Sequence, residues 1–202
     1  MGYRRARIED VAEAADVSVG AIYSHFGNKD GLYLAVAERA VDLLGRYLRQ
    51  AFQEDWTPLE QVVAAGDAYL RFHLEHPGAF RFLAFEEVED AATNPAQQAR
   101  VAAGITAILD ELSDKIQEAI DAGEARPVDA RLTGRFLWGA WNGTIGLGFR
   151  HPGLALTDED IQRAIDQARL IVLTGLCAPG ARDEAGEPTA RLRSATSPVD
   201  GD

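Results

Sequence analysis

The chain has 202 residues, 47% hydrophobic and 26% charged, ordinary globular usage that excludes wholly disordered, collagen-like and coiled-coil proteins. No apolar run approaches the roughly 18 residues of a membrane-spanning helix, no signal peptide is visible, and Cys177 is the only cysteine, so a reducing cytoplasm is the expected compartment. The net charge of -12 argues against a nucleic-acid partner only on average, because residues 1–50 hold seven Lys/Arg and seven Asp/Glu, which leaves 13 basic and 25 acidic residues for the remainder.

The dominant hydrophobic period is helical, no stretch alternates in the manner of a hairpin, and the spacing predicts an all-α fold. Two short apolar segments, 8–15 and 19–26, are joined by Asp16-Val17-Ser18, with Ser18 placed to cap the second through its hydroxyl. Two short helices joined by a tight turn make a helix-turn-helix candidate. Asn28 then caps a long helix running toward Gln53, long enough to link two lobes. Thr57-Pro58 opens the next helix by the proline-at-first-turn rule, and His76-Pro77-Gly78 closes it, because proline removes a donor and disfavours helix at the residue before it. A short aromatic segment, 79–88, follows. Asn94-Pro95 starts a long helix whose stripe of Ile105, Ile108, Leu109, Leu112, Ile116, Ala119 and Ile120 runs until Gly123 stops it. Asp129 caps a helix over 130–149, ended by a second His-Pro-Gly. Thr157 with Asp160 resembles a capping box for a last helix reaching Leu176. From Ala178 onward apolar content collapses, and composition predicts a disordered tail over 178–202.

The segment 7–33, RIEDVAEAADVSVGAIYSHFGNKDGLY, resembles the DNA-binding segment of the tetracycline-repressor (TetR) family of transcriptional regulators. The matching residues are Gly2-Tyr3, Val11-Ala12, Val17-Ser18, Tyr23-Ser24-His25-Phe26 and Lys29. The likeness continues more loosely to Leu176, and 137–143 is similar to the penultimate helix of members with a Trp-rich effector domain. It implies a DNA-binding domain over 1–46 and an effector-binding and dimerisation domain over 47–177.

The residues themselves agree with that assignment. A helix of seven or eight residues must be held by packing, which Ile22 and Phe26, four apart, can supply. The other face carries Val19, Gly20, Ala21 and Ser24, small groups that let the backbone approach base edges, with methyls for thymine in the major groove. Tyr23, His25 and the Ser18 hydroxyl can reach phosphates, and Lys29 sits in a helix N-terminal turn that favours anions. Arg4 and Arg5 are candidate phosphate contacts, or else, with Arg7, an ordinary solvated cluster. No Arg, Gln or Asn lies on the exposed face, so bidentate base readout is not expected and selectivity leans on apolar contacts, water and DNA shape.

In the body, Phe72, Phe80, Phe82, Phe85, Trp138 and Trp141 are most simply core. The resemblance implies a cavity there, and with His73 and Asn142 these residues would suit an apolar or flat organic effector. His73 and His76, three apart, could share a metal with Glu86 or Glu87, but a helix-end His pair near a carbonyl is the commoner case and no metal or other cofactor is expected. Gly139, Gly143, Gly146 and Gly148 cost helicity, at about 1 kcal/mol each relative to Ala, which close helix crossing would offset. The resemblance implies a homodimer through a four-helix bundle, with Gly143, Gly146 and the seam Ile161, Ile165, Ala168 and Val172 at its interface. Such a dimer predicts an inverted-repeat DNA operator read by two recognition helices roughly 34 to 36 Å apart.

Three departures from the family pattern stand out. The family's first helix, of about twenty residues before the Gly-Tyr pair, has no counterpart, so the expectation is a start downstream of the natural one or a truncated chain. Arg7 stands where a Thr/Ser cap is common, and Asp16 replaces the turn glycine, which Asp tolerates through its access to the left-handed region. No nucleophile, base and acid set or phosphate loop is present, so no enzymatic activity is expected. The reading is a ligand-responsive regulator, repression being the family's commonest behaviour; the alternative is a dimeric small-molecule sensor that no longer grips DNA.

Overall fold

In a computed structural model the chain is described over residues 6–85, 95–151 and 153–195, and these form eight α-helices and no β-strand. They are α1 (Ile8–Ala14), α2 (Val19–Phe26), α3 (Lys29–Arg49), α4 (Pro58–Glu75), α5 (Pro77–Phe85), α6 (Pro95–Asp121), α7 (Ala130–Gly146) and α8 (Asp158–Leu176). The chain divides into two compact units, one of Met1–Leu43 with Pro77–Thr106, the other of Leu44–His76 with Ala107–Asp202. Residues 77–106, expected in the body, therefore belong with the first unit. The periodicity of 95–121 marks a helix but not the point at which it changes partners. No described helix is long and apolar enough to cross a membrane.

In the first unit, Ile8, Ala12 and Ile22 form a small buried cluster closed by Val19, Phe26 and Leu32. Asp16 takes φ 53° in the turn and Gly27 takes φ 78° after α2, so one left-handed residue follows each short helix. The Ser18 hydroxyl accepts the Ala21 amide at 3.1 Å, while Arg7, at the corresponding position of α1, makes no side-chain cap. Asn28 Oδ1 accepts the Gly31 amide at 2.7 Å and so starts α3. Gly31 is also a packing requirement, because a methyl there would lie 2.0 Å from the Phe26 carbonyl oxygen. Farther on, Tyr33 stacks on Phe82 at 4.2 Å, and Arg100 of α6 pairs with Glu38 of α3 at 2.7 Å.

The second unit is built around α4, which packs against α7 and α8 and is buried continuously from Leu59 to Leu70 and again at Phe72 and His73. Thr57 and Glu60 form a reciprocal capping box at its start, and Glu124 accepts the Leu59 amide at 2.9 Å. Gly66 lets two neighbours approach at once: its added methyl would lie 3.2 Å from the Trp141 indole nitrogen and 3.4 Å from Arg169. On α7 and beyond, Gly134 and Gly148 are the close crossings, against Ser113 and Ile161, whereas Gly139 and Gly143 have open space around them. Close crossing within the chain thus accounts for only part of the expected glycine series.

Two boundaries differ from the sequence reading. The helix expected to reach Gln53 ends at Arg49, where Gln50, Ala51 and Phe52 donate to carbonyls three residues back and tighten the chain into turns. The helix expected over 130–149 becomes a 3-10 turn at Leu147–Phe149.

The larger correction concerns the C-terminal segment. Residues 178–195 are ordered against the second unit, so the disordered tail does not hold there; 196–202 lie outside the described residues. Ala181 and Ala190 pack on the cluster of Leu59, Val63, Ala119, Ala125, Leu173 and Cys177. The Ala178 amide donates to the Glu124 carbonyl at 2.8 Å and the Arg126 amide to that of Leu176 at 2.7 Å. The docking is polar, and composition does not register hydrogen bonds to buried charge.

Two outcomes test this account. Gly31→Ala is expected to destabilise the first unit by about 1–3 kcal/mol, because the clashing atom is backbone and cannot yield; hydrogen exchange across 8–26 would show the loss, and unchanged protection would place the clash elsewhere. Burial holds the His73 imidazole below its ordinary 6.5, a pull from Asp158 in the other direction being smaller. The unfolded chain then takes up a proton before the folded one does, so the stability contributed by the neutral ring is complete above 6.5 and falls as pH drops toward the folded value. The difference in melting temperature between wild type and His73→Gln should be constant above that pH and change only below it; a difference constant throughout would assign the acid loss to carboxylates.

Candidate functional site

The first unit presents α2 with one face anchored and one face open. Ile22 is buried and Phe26 half-buried, while Gly20, Ala21, Tyr23, Ser24 and His25 are exposed and Val19 is half-buried. Tyr23 stands out at 46% exposure, a large aromatic whose hydroxyl has no structural task in the cluster beneath it. The His25 ring lies edge-on to Phe26 with centroids 4.6 Å apart, which fixes its direction. Ser18 accepts the Ala21 amide, and its own hydroxyl proton can still be donated outward. The arrangement therefore offers hydroxyls and an imidazole around a patch of small side chains, on a helix whose position is set from below by Ile22 and Gly31.

The cations are less evenly informative. Lys29 opens α3 and is half-buried, Arg7 pairs with Glu9 at 3.5 Å, and Arg4 and Arg5 lie outside the described residues. The sequence reading did not single out Asn28 and Gly27 as site residues, although they turn the chain from α2 into α3. Their signal was present as a glycine and a cap in succession.

In the second unit, four of the expected effector residues gather around Tyr69 or beside it, and Tyr69 itself is one the sequence reading missed. The Tyr69 hydroxyl donates to Asn142 Oδ1 at 2.8 Å, its ring lies 5.7 Å from Trp141 and 6.4 Å from Phe72, and Trp138 hydrogen bonds to it. Burial pushes its hydroxyl well above the ordinary tyrosine range. His73 is buried with its ring 5.8 Å from Phe149. The structure places Phe80 in the first unit, fully buried, and the side chain of Phe85 lies outside the described residues. An apolar cleft of about 400 Å³ also opens in the first unit, lined by Leu32, Val36, Leu43, Ala79 and Phe82 with Arg39.

The two histidines three apart face different rings. His76 turns to the Tyr47 ring at 5.5 Å while His73 faces Phe149, Glu86 and Glu87 lie outside the described residues, and among those described no three ligating side chains gather.

The expected dimer seam needs correction. Ile161 and Ile165 are 0% and 1% exposed, Val172 packs on the core cluster, and Ala168 is half-buried and Gly146 buried. These residues serve the chain's own core, because a four-and-three spacing marks a packed stripe without saying what packs on it. Gly143 of that set has open space around it. The apolar side chains that the last two helices leave exposed are Leu132 and Phe136 on α7, at 65% and 71%, and Leu170 and Ile171 on α8, at 46% and 62%.

Comparison with known proteins bears on the whole arrangement. The family model for bacterial regulatory proteins of the tetR family matches residues 1–36, and that for the tetracyclin repressor-like C-terminal domain matches 62–170. The HTH-type transcriptional activator FasR of Mycolicibacterium smegmatis is 34% identical over 133 residues, 65% of this chain and 59% of that protein. The HTH-type transcriptional regulator RutR of Escherichia coli is 30% identical over 141 residues, 68% of this chain and 63% of that protein. The chain thus spans about three fifths of the length of these relatives. Among solved structures, the ketosteroid transcriptional regulator KstR2 of Mycobacterium tuberculosis has a TM-score of 0.64 at 24% identity, covering 87% of this chain and 86% of that one. The TetR family transcriptional regulator PfmR from Thermus thermophilus has a TM-score of 0.63 at 21% identity, covering 85% and 89%. Those two likenesses concern the fold. With one family model on the helix-turn-helix and a second across more than half of the chain, the protein belongs to the TetR family of bacterial regulatory proteins.

Proposed function

We propose that the chain is a DNA-binding transcriptional regulator that acts in the cytoplasm as a homodimer and answers to a small apolar or aromatic effector. The observation that carries the reading is the exposed face of α2, where Gly20, Ala21, Tyr23, Ser24 and His25 stand clear of the cluster that holds the helix. In the major groove such a face gives close backbone approach and methyl contacts, while Tyr23, His25, Ser18 and Lys29 supply phosphate contacts that fix register. Arg4 and Arg5 would add to these. The protein binds and does not catalyse; it requires no cofactor.

The dimer face we assign is Leu132 and Phe136 with Leu170 and Ile171. The first two are four residues apart and form one stripe with Gly139 and Gly143, whose open surroundings admit a partner helix closely. A two-fold pairing of this face would present two copies of α2 to an inverted repeat. The effector site is assigned to the aromatic group around Tyr69, with Trp138, Trp141, Phe72 and His73 as apolar walls and Asn142 as the polar group that orients the ligand. Effector binding favours a dimer whose recognition helices are mis-spaced for the operator, and repression relieved by ligand is the simplest output of such a two-state device.

Fluorescence anisotropy against the DNA upstream of the protein's own coding sequence, at two salt concentrations, tests the reading. Tyr23→Ala should weaken binding about tenfold, the loss of one charge-assisted hydrogen bond, and Lys29→Ala should lower the salt slope by about one. Binding by neither wild type nor variants would leave only the sensor function. For the dimer, Phe136→Glu and Ile171→Glu are each expected to convert a two-subunit species into monomers in sedimentation velocity while the helical signal persists; dimers that survive both changes would remove this face from the interface.

A further inference from the structure

The C-terminal segment does more than cover the second unit, because its contacts fall on charged groups that α4 and α8 have buried. Glu60, Asp67 and Arg71 are seven and four residues apart and form one stripe along α4. Residues 191–195 follow that stripe in order. The Arg191 amide donates to Glu60 Oε1 at 2.8 Å, and the Arg193 guanidinium donates to Glu60 Oε2 at 3.0 Å. Ser194 hydrogen bonds to Asp67, and Arg71 donates to the Ala195 carbonyl. From α8, Arg169 donates to the Arg193 carbonyl and, at 3.4 Å, to the Ser194 hydroxyl, and it pairs with Asp67 at 3.3 Å.

Glu60, Asp67 and Arg169 are 3%, 8% and 6% exposed, and charges withdrawn from water to that degree are costly unless their hydrogen-bonding capacity is met. Three of the contacts are to the segment's backbone: the amide of Arg191 and the carbonyls of Arg193 and Ala195. Those are features by which a protein recognises an extended peptide as such. Side-chain preference is added by Arg193, which also lies over the Trp56 ring at 5.9 Å, and by Ala195, which is 8% exposed and leaves little room for a larger group.

Arg71 has a second set of partners. It donates to Gln50 Oε1 at 3.5 Å and pairs with Glu75 at 3.3 Å. The Glu75 carboxylate accepts the Tyr47 hydroxyl, and the Arg71 guanidinium lies 5.7 Å from the centre of the Tyr47 ring. Tyr47, itself 1% exposed, has its hydroxyl pushed up to about 12 by burial and by that hydrogen bond. Tyr47 belongs to the last turns of α3 and Gln50 follows them. The guanidinium that grips the far end of the C-terminal segment is therefore the one that braces the end of α3.

We propose that the stripe on α4, together with Arg169, is a peptide-binding site occupied in cis by residues 191–195, and that its occupancy latches the last turns of α3 through Arg71. The ligand class is an extended segment with a basic side chain where Arg193 sits and a small one where Ala195 sits. Any segment of that chemistry can exchange for the tethered one, at a disadvantage set by the high local concentration that tethering provides. The latch requires nothing of the DNA reading, and its test uses no DNA.

The full-length chain carrying Arg193→Glu places a second carboxylate against Glu60. Trypsin should then cut after Arg191 at least about tenfold faster, the rate following the population of the released segment, and amide exchange over 44–53 should rise at least about fivefold while that of 130–146 stays as in wild type. Faster cutting with unchanged exchange over 44–53 would overturn the latch, and a segment that stays protected would overturn the site. In a second arm, a labelled peptide of residues 191–202 is added to a chain ending at Ala190. Saturable binding to the shortened chain, absent with the intact chain and with a peptide of reversed sequence, is the expected result. A folded shortened chain that ignores the peptide would overturn the proposal, and should that chain fail to fold, the full-length variant decides alone.

Discussion

A helix at the centre of a unit has to bury all of its sides, and α4 does so while carrying Glu60, Gln61, Asp67 and His73 among its buried residues. The rest of the second unit answers much of that constraint. Gln61 donates to the carbonyls of Gln53 and Trp56 and so fastens the turns that follow α3. Asp67 meets Arg169 from α8, yet its carboxyl stays above the ordinary range because burial outweighs the neighbouring cation. Glu60 is shared between its own capping box and the C-terminal segment. An apolar α4 of the same volume would pack as well or better, but it would leave the C-terminal segment nothing to dock on. The buried charges select one arrangement of chain around α4.

The first unit works under the opposite limit at its N-terminal end, where, among the described residues, the buried cluster holds three residues and three half-buried neighbours. With so little apolar area, backbone geometry has to contribute much of the definition. A left-handed Asp16, a capping Ser18, a left-handed Gly27 and a capping Asn28 follow one another in the span 16–28. Each removes alternatives from the turn, and Gly31 then lets the start of α3 press against the last carbonyl of α2. A helix fixed in that way can expose a residue such as Tyr23 without needing it for support.

Most of the helices and their caps were legible in the sequence because caps and breakers are local signals: Ser18, Asp129 and Thr157 each accept a backbone amide as expected, and Pro58 opens α4. The open face of α2 was legible for the same reason, since a helix of eight residues with two anchoring positions has only one side left to present. What failed is information that lies between elements. The stripe Ile161, Ile165, Ala168 and Val172 was read as a seam between subunits, when the chain's own α4 and core claim most of it. The outward residues Leu170 and Ile171 sit beside Arg169 and break the simple period. Tyr69 was passed over because one tyrosine within a helix announces nothing until Asn142 and Trp141 are brought to it. The order of 178–195 escaped because its partners, Glu60 and Asp67, are more than a hundred residues away.

Charge bears on both units, and it acts through its placement along the chain. The deficit of -12 falls outside residues 1–50, where α8 alone opens with Asp158, Glu159 and Asp160. At physiological salt such groups are felt over roughly 8 Å. Under the proposed reading they repel a duplex from the acidic surface itself, and only within that range. Acidity that argues against nucleic acid when summed over the chain becomes a constraint on which surface a duplex can approach. Under the proposed reading the small, hydroxyl-bearing face of α2 then needs only modest attraction of its own, which is what a balanced first fifty residues can provide.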